Sequence, residues 1–208
     1  MSGKTTKNIS LFCNEKFVWI KGGITCTILG DPIDSAQKKL PHPFDNLTLG
    51  LAVKTCLENS KELTVPEWDE KYGTDDKAFY ESMAKKIDEM INEMIYEYRF
   101  KDENAFNKNM MSSGILVYDD LEIVVDNSIH DKLESWDFGD FKVKIRYDSP
   151  DEILGATVRY ALAKCRGKGS YAKGAEMVSK ILFPEGVPDS VEEYLASINQ
   201  DYEKWLIK

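Results

Sequence analysis

Two histidines, His42 and His130, are the only side chains of the chain whose ordinary pKa lies near neutral pH. A serine or cysteine nucleophile would have to use one of them as its general base. Neither histidine lies in a nucleophile motif, and the chain has no G-x-S-x-G sequence. A hydrolase-type enzyme that uses His130 with a nearby carboxylate stays open as an alternative, and the missing motif argues against it.

Motifs for metals and cofactors are missing as well. The H-E-x-x-H and EF-hand patterns do not occur, and the four cysteines form no C-x-x-C pair. The glycines and basic residues of 166–174 do not follow the order of a phosphate-binding loop, so this segment is interpreted as a helix end with Gly167 in the left-handed conformation. We predict no cofactor and no metal, with the cysteines as free thiols in a reducing cytosol.

Carboxylates cluster in two segments of the chain. Residues 114–140 hold eight acids against one base, and residues 62–76 hold six against one. Any single one of these side chains is expected to be ordinary solvated surface, but together they predict a face that docks a cationic partner. The candidate docking residues are, first, the tip of a predicted hairpin and, second, a group in the earlier segment: Asp119, Asp120 and Glu122, then Glu67, Asp69 and Glu70.

The charge of the whole chain points the same way. Its 208 residues carry a formal net charge of −9, with an isoelectric point near 4.9. Such a surface repels nucleic-acid phosphates, so direct binding of DNA or RNA is disfavoured. The first ten residues lack the apolar stretch of a signal peptide and the longest apolar runs are strand-length, so the sequence predicts a cytoplasmic protein without membrane contact.

The candidate residues are carried by two halves that follow the same order. In the first half, ISLFCNEKFVWI predicts a hairpin that turns at Asn14-Glu15, ITCTILG predicts a third strand, and Asp45 is the predicted N-cap of a helix. In the second half, GILVYDDLEIVV predicts a hairpin that turns at its two aspartates, FKVKIRY predicts a strand, and Ser149-Pro150 opens a helix. The two turns are 105 residues apart.

The two helices that end these halves share the pattern L-G-x-x-V-x-x-x-L. It contains Gly50 in the first helix and Gly155 in the second, again at an offset of 105 residues. Glycine within a helix costs about 1 kcal/mol relative to alanine, so its place on the apolar face predicts close approach of each helix backbone to a sheet. Residues 8–60 and 113–165 are therefore a possible internal repeat, which we interpret as architecture and not as an active site.

Apolar periodicity predicts the remaining elements. KAFYESMAKKIDEMINEMIYEY predicts a long helix whose methionine-rich stripe packs in the core, and residues 166–208 predict a helical C-terminal extension. Residues 62–76 are interpreted as a polar connector, and IHDKLESW as helix or loop. The predicted fold class is α+β, with an antiparallel-rich sheet from two hairpin-plus-strand halves packed by helices, and residues 1–208 are predicted to form a single domain.

Several of these stretches resemble immunity proteins of bacterial contact-dependent growth inhibition (CDI) systems. The resemblance rests on an A-x-x-K-N-M segment that begins at Ala105, on H-x-K-L-E-x-W from His130 to Trp136, and on the capped L-G helix from Asp151 to Cys165. FDNLTLGLAVKTCLENS adds a similar segment in the first half. The resemblance covers residues 8–165, and the chain departs from the pattern beyond them.

The resemblance implies a cytosolic, non-catalytic inhibitor that binds the C-terminal domain of a cognate CDI toxin one to one. Such toxins are usually nucleases that act on tRNA or DNA, and neutralisation would block the active site or the substrate-docking face. An acidic surface suits a basic toxin, because carboxylates can occupy the positions of phosphates. A further alternative is an adaptor that binds an endogenous partner through its C-terminal helices.

Overall fold

The two predicted hairpins lie side by side in one sheet of the computed structural model, which describes residues 5–26, 29–31, 36–132 and 135–207. The strands of these residues are β1 (Thr5–Cys13), β2 (Phe17–Gly22), β3 (Ile24–Cys26), β4 (Leu29–Asp31), β5 (Gln37–Pro41), β6 (Lys61–Glu62), β7 (Met111–Tyr118), β8 (Glu122–Lys132), β9 (Ser135–Arg146) and β10 (Arg166–Gly167). The α-helices are α1 (Asn46–Glu58), α2 (Val65–Tyr72), α3 (Asp76–Glu97), α4 (Glu103–Lys108), α5 (Asp151–Ala163), α6 (Ala172–Leu182) and α7 (Val191–Ile198).

The order of strands in the main sheet is symmetric about its centre. β1 pairs antiparallel with β7, and each is followed outward by its hairpin partner, β2 or β8. Each half then ends in a third antiparallel strand, β5 on one side and β9 on the other, while the short β10 pairs in parallel with the far end of β8. Helix α1 follows β5 and helix α5 follows β9. The predicted order of hairpin, strand and helix is therefore confirmed in the second half, and the first half keeps this order with a different strand.

The third strand of the first half is not the one that the sequence indicated. Of the predicted strand at residues 24–30, positions 27–28 lie outside the described residues, and the others belong to β3 and β4, which pair with each other in a second sheet with β6. The strand that pairs with β2 is β5, for which the sequence predicted no strand. Proline is tolerated there because β5 is an edge strand and Pro41 ends it.

Helices α1 and α5 cross in direct backbone contact at their glycines. A Cβ atom on Gly50 would lie 1.7 Å from the carbonyl oxygen of Asp151, and one on Gly155 would lie 1.8 Å from the carbonyl oxygen of Asn46. The contact is reciprocal, because Asn46 and Asp151 are also 105 residues apart. The glycines therefore allow α1 and α5 to approach each other. The expectation that each helix backbone approaches a sheet at its glycine is wrong. An origin of the two halves by duplication stays a prediction.

Different helices cover the two faces of the main sheet. On one face, α1 and α5 enclose the main core, to which Leu11 of β1 and Ile20 of β2 belong. Alternate side chains point to the other face, where Trp19 packs in a cluster with Met94 of α3 and Phe106 of α4. The long methionine-rich helix is confirmed as α3, and Asp45 caps α1 as predicted by accepting a hydrogen bond from the amide of Thr48 at 2.7 Å.

The C-terminal extension packs against the rest of the fold. Helix α5 is apolar on nearly all sides, and α7 covers its outer face, where Tyr160 lies in one cluster with Val191 and Leu195. After α7, the amide of Arg146 on β9 donates to the carbonyl oxygen of Trp205 at 2.9 Å. The predicted helical extension is confirmed. It completes the packing around α5 and does not project from the rest of the fold.

Three local predictions are wrong. The stretch IHDKLESW continues β8 and begins β9, so it is neither helix nor loop at its described residues. The hydroxyl of Ser149 donates to the carbonyl oxygen of Arg146 at 2.6 Å and does not cap α5, because Pro150 stands at the N-cap. Gly167 pairs with β8, and the left-handed residue is Gly169, with φ of 57°.

The first hairpin turns at the predicted position, but the loop between its strands is one residue longer than expected. Its strands end at Cys13 and begin again at Phe17. The side-chain oxygen of Asn14 accepts hydrogen bonds from the amides of Lys16, at 2.9 Å, and Phe17, at 3.2 Å. This asparagine side chain takes the role of a backbone carbonyl and lengthens the turn.

Replacing Gly155 with alanine is expected to lower the free energy of unfolding by about 3 kcal/mol, because the new Cβ must push the two helices apart. On an uncrowded helix the same change would raise the free energy of unfolding by about 1 kcal/mol. The sign of the measured change therefore shows whether the two helices are in contact at this glycine. Urea denaturation measures it. Glu58→Ala, at the exposed end of α1, is the control and should change stability by less than about 0.5 kcal/mol. A Gly155→Ala variant as stable as the parent would contradict the crossing contact.

Candidate partner-docking surfaces

The predicted acidic tip is a tight turn between β7 and β8. The amide of Leu121 donates to the carbonyl oxygen of Tyr118 at 2.9 Å, and Asp119 and Asp120 have φ angles of 50° and 55°. Two consecutive positive φ values are typical of a type I′ turn, whose twist suits a hairpin and which aspartate tolerates better than most residues. The predicted turn is confirmed, and its aspartates shape the backbone as well as the surface.

The carboxylates at this tip have basic neighbours. Asp120 accepts a hydrogen bond from the hydroxyl of Thr6 at 2.9 Å, and Nζ of Lys7 lies 3.9 Å from the same oxygen. Nζ of Lys144 lies 2.7 Å from a carboxylate oxygen of Glu122. The negative charge of the tip is therefore partly compensated within the protein.

Basic residues of β9 lie beside acidic residues of the segment 114–140. These bases stand in the part of β9 that comes after residue 140. β9 places Lys142 opposite Asp126 and Arg146 opposite Glu122. Burial raises the pKa of Asp126, while the amide of Gly114 and the charge of Lys142 act in the opposite direction. Cross-strand pairs thus bring compensating bases alongside Glu122 and Asp126.

The second acidic group lies on a helix, so the interpretation of residues 62–76 as a polar connector is wrong. Helix α2 follows Thr64, whose amide and hydroxyl both donate to Glu67 at 2.7 Å. These two hydrogen bonds lower the pKa of Glu67. Beneath them, Trp68 is buried against Phe79 of α3. The missed signal was the Thr-x-x-Glu spacing, with a proline in the first turn.

Asp69 and Glu70 are exposed on the same helix. Throughout the described part of the chain, no basic nitrogen lies within ion-pair distance of either carboxylate. Val65, at the start of α2, is 54% exposed and adds apolar surface. Helix α2 therefore combines uncompensated negative charge with an exposed apolar side chain, a composition that suits the docking of a cationic protein surface.

His130 lies in a buried hydrogen-bonded group. Its Nε2 is 3.3 Å from the hydroxyl oxygen of Ser112, which is also 2.8 Å from the hydroxyl oxygen of Ser128. All three residues are buried, and Ser112 is not part of the wall of the cavity that His130 reaches. This geometry suits a structural network better than the accessible nucleophile of a hydrolase.

The described thiols are buried as well. Burial raises the pKa of Cys56 and of Cys165 to about 11. It also raises the pKa of Cys13, although Sγ of this residue lies 3.9 Å from Nε2 of His42. Thiols of this kind stay protonated near neutral pH and are poor nucleophiles.

The described residues contain neither a membrane-spanning helix nor a metal-binding cluster. None of their helices is long and apolar enough to cross a membrane. Among the side chains that the structure describes, no three from histidine, cysteine or acidic residues lie close enough together to hold a metal ion.

The sheet of two hairpins, packed by two crossing helices, defines an α+β protein. Its exposed surfaces are available for recognition, whereas its buried polar groups are less so. The model of the CDI immunity protein family matches residues 7–165, which extend from β1 to just beyond α5. The chain belongs to the CDI immunity protein family. Helices α6 and α7 lie beyond the matched residues.

Individual relatives support this assignment. Immunity protein CdiI-YPIII of Yersinia pseudotuberculosis serotype O:3 (strain YPIII) is 31% identical over 147 residues, which are 66% of this chain and 82% of that protein. A solved structure of a Neisseria meningitidis protein of unknown function has a TM-score of 0.68 and 25% identity, and the match covers 80% of this chain and 99% of that one.

The fold also matches a chain of a solved CdiA-CT/CdiI toxin and immunity complex from Yersinia pseudotuberculosis. The TM-score is 0.65 at 20% identity, and the match covers 77% of this chain and 98% of that one. At this identity the likeness shows the fold alone. Both solved structures are matched over nearly their whole length within about four fifths of this chain, so the rest of this chain is additional to them.

Glu67→Ala is expected to loosen α2, because the change removes the acceptor of two hydrogen bonds at its first turn. Amide hydrogen exchange followed by mass spectrometry should show lower protection throughout α2. The pKa of Glu67 is lowered in the folded protein, so its contribution is present above the unfolded-state pKa and is lost as pH falls through the folded-state pKa. Protection of α2 in the parent should therefore fall in acid.

Asp69→Ala is the matched control, because it removes the same charge from the same helix and leaves the cap in place. Its exchange protection should equal that of the parent. Equal loss of protection in both variants would show that Glu67 has no special role at the start of α2.

Proposed function

We propose that this protein binds the C-terminal domain of a cognate CDI toxin in the cytosol and neutralises it by occluding its active site or its substrate-docking face. The observation that carries the proposal is the family match over residues 7–165, which contains both hairpins and both crossing helices. The Yersinia relative is itself named an immunity protein. We expect one molecule of this protein to bind one toxin domain.

The chemistry of the buried polar groups supports inhibition by binding, without catalysis. The hydroxyl of Ser112 is held by two buried partners, His130 and Ser128. Burial keeps the thiols of Cys56 and Cys165 protonated. Neither group is prepared for nucleophilic attack on a substrate from solvent, and an inhibitor needs no such group.

The toxin domain that fits this protein is basic, as expected for a nuclease that grips the phosphates of tRNA or DNA. The net charge of −9 favours association with a basic partner and disfavours direct contact with nucleic acid. Complementary charge of this kind raises the association rate and the specificity more than the affinity itself.

Among the candidate residues, the structure favours Asp69 and Glu70 of α2 over the hairpin tip as the first docking contacts. Asp120 and Glu122 already have Lys7 and Lys144 as basic neighbours. Glu67 contributes charge as well, but its carboxylate is occupied by the start of α2. The tip residues Asp119, Asp120 and Glu122 would then form an outer part of the docking surface.

The function is tested with the C-terminal domain encoded by the gene immediately upstream. We expect its expression to stop cell growth and co-expression of this protein to restore growth, because a bound toxin cannot reach its substrate. Calorimetric titration of the purified components should give tight one-to-one binding. A toxic domain that this protein neither binds nor blocks would contradict the assignment of that domain as its cognate toxin and, with it, the proposal.

The docking surface is tested by charge reversal. Asp69→Lys/Glu70→Lys should lower the association rate with the toxin by about tenfold at low salt and flatten its dependence on ionic strength, because it replaces attraction by repulsion. Asp119→Lys/Asp120→Lys should have a smaller effect. Stopped-flow fluorescence at several salt concentrations measures both.

Glu185→Lys/Glu203→Lys is the control for these variants. It makes the same change in net charge at two exposed positions beyond the family match. Its association rate should stay close to that of the parent. If all three variants slow association equally, only the net charge matters and α2 is not the docking surface. If the control alone slows it, the C-terminal extension is the contact, as the adaptor alternative requires.

A further inference from the structure

Lys21 is a largely buried lysine at the end of β2, on the sheet face that α3 and α4 cover. Its Nζ lies 4.5 Å from the ring centroid of Trp19 and 5.6 Å from that of Phe12. Considering the described residues only, no carboxylate lies within ion-pair distance of this ammonium. Burial lowers the pKa of Lys21 to about 8. A buried charge is costly unless a partner compensates it, and the aromatic rings supply only part of that compensation.

A cavity of about 190 Å³ opens beside this ammonium. Its walls are mostly apolar, with Ile87 and Ile91 from α3 above the sheet and Phe106 and Met110 from the α4 region at the side. Lys21 and Asn107 add a cation and an amide to the same wall. The cavity thus has an apolar body and a small number of polar groups, which is the usual composition of a small-molecule site.

The neighbouring elements hold this cavity in shape. Nε1 of Trp19 donates to the side-chain oxygen of Gln37 on β5 at 3.0 Å, which fixes the indole beneath the cavity. Phe106 and Met110 are buried in the cluster that α3 and α4 form with the sheet. The space is therefore a preformed gap between the sheet and its covering helices.

We propose that this cavity binds a small organic carboxylate with a ring-sized apolar body, whose carboxylate pairs with the ammonium of Lys21. The body of such a ligand would lie between Ile91 and Phe106, and Asn107 would donate to an oxygen of the ligand. An apolar cavity of about 150 Å³ accommodates benzene, so a benzoate-sized molecule fits the volume. Phosphorylated ligands fit poorly, because a single lysine would face two negative charges among apolar walls. This site is independent of toxin binding.

The test uses benzoate and the full-length protein, with calorimetric titration and ligand-observed NMR. Benzoate should bind, and its neutral analogue benzyl alcohol should bind at least about tenfold more weakly, because it lacks the charge that pairs with Lys21. Lys21→Met keeps the length of the side chain and removes its charge, and it should weaken benzoate by about tenfold or more. Lys38→Met, on the neighbouring strand β5, is the control and should bind benzoate like the parent.

A second variant fills the space. Ile91→Trp should abolish binding of both probes, and thermal unfolding checks that the variant is folded. If it does not fold, Ile87→Phe replaces it as a smaller filling change. Binding that survives in a folded, filled variant would place benzoate elsewhere and overturn the proposal.

The pH dependence gives an independent readout. Benzoate stays ionised above about pH 5, so its binding should weaken between about pH 7 and about pH 9.5 as the ammonium loses its proton. Among the described residues of the cavity wall, the other titratable groups are His130 and Tyr171, and none is a carboxylate. Lys21→Met should abolish the alkaline loss. Absence of benzoate binding at millimolar concentration, or equal binding by the parent and Lys21→Met, would overturn the proposal.

Discussion

The backbone contact between α1 and α5 is the constraint on which the rest of the fold depends. Gly50 and Gly155 let each helix touch a carbonyl of the other at a distance where any side chain would collide. This crossing fixes the relative position of the two halves on one face of the sheet. It also leaves α5 buried on nearly all sides, so the C-terminal extension must cover the surface that the sheet and α1 do not.

The crossing helices fill one face of the sheet, and other elements cover the opposite face. There, α3 and α4 cover the sheet less completely and leave the cavity beside Lys21. Helix α2 stands on a separate small cluster around Trp68. Only the inner side of α2 packs against this cluster. The outer side of α2 can therefore carry exposed acids at little cost in stability.

Electrostatic character at the surface follows strand pairing more than sequence distance. In the acidic segment 114–140, Asp126 and Glu122 are compensated by Lys142 and Lys144, which come just after the segment in sequence and lie beside it on β9. The acids of α2 have no paired strand beside them and keep their charge exposed. The docking surface that we propose for a basic toxin therefore lies on the helix and not on the longer acidic run.

The sequence by itself determined the α+β class, both hairpins, the crossing helices as elements and the long α3, because hydrophobic period, turn residues and caps act over short distances. The family resemblance followed from the same local patterns, and the family match confirms it. Only the tertiary structure decided that the glycines face each other, that β5 and not residues 24–30 completes the first half, and which carboxylates are compensated. Those outcomes depend on contacts between residues about 16 to 109 positions apart. A local sequence pattern does not indicate which distant residue will form such a contact.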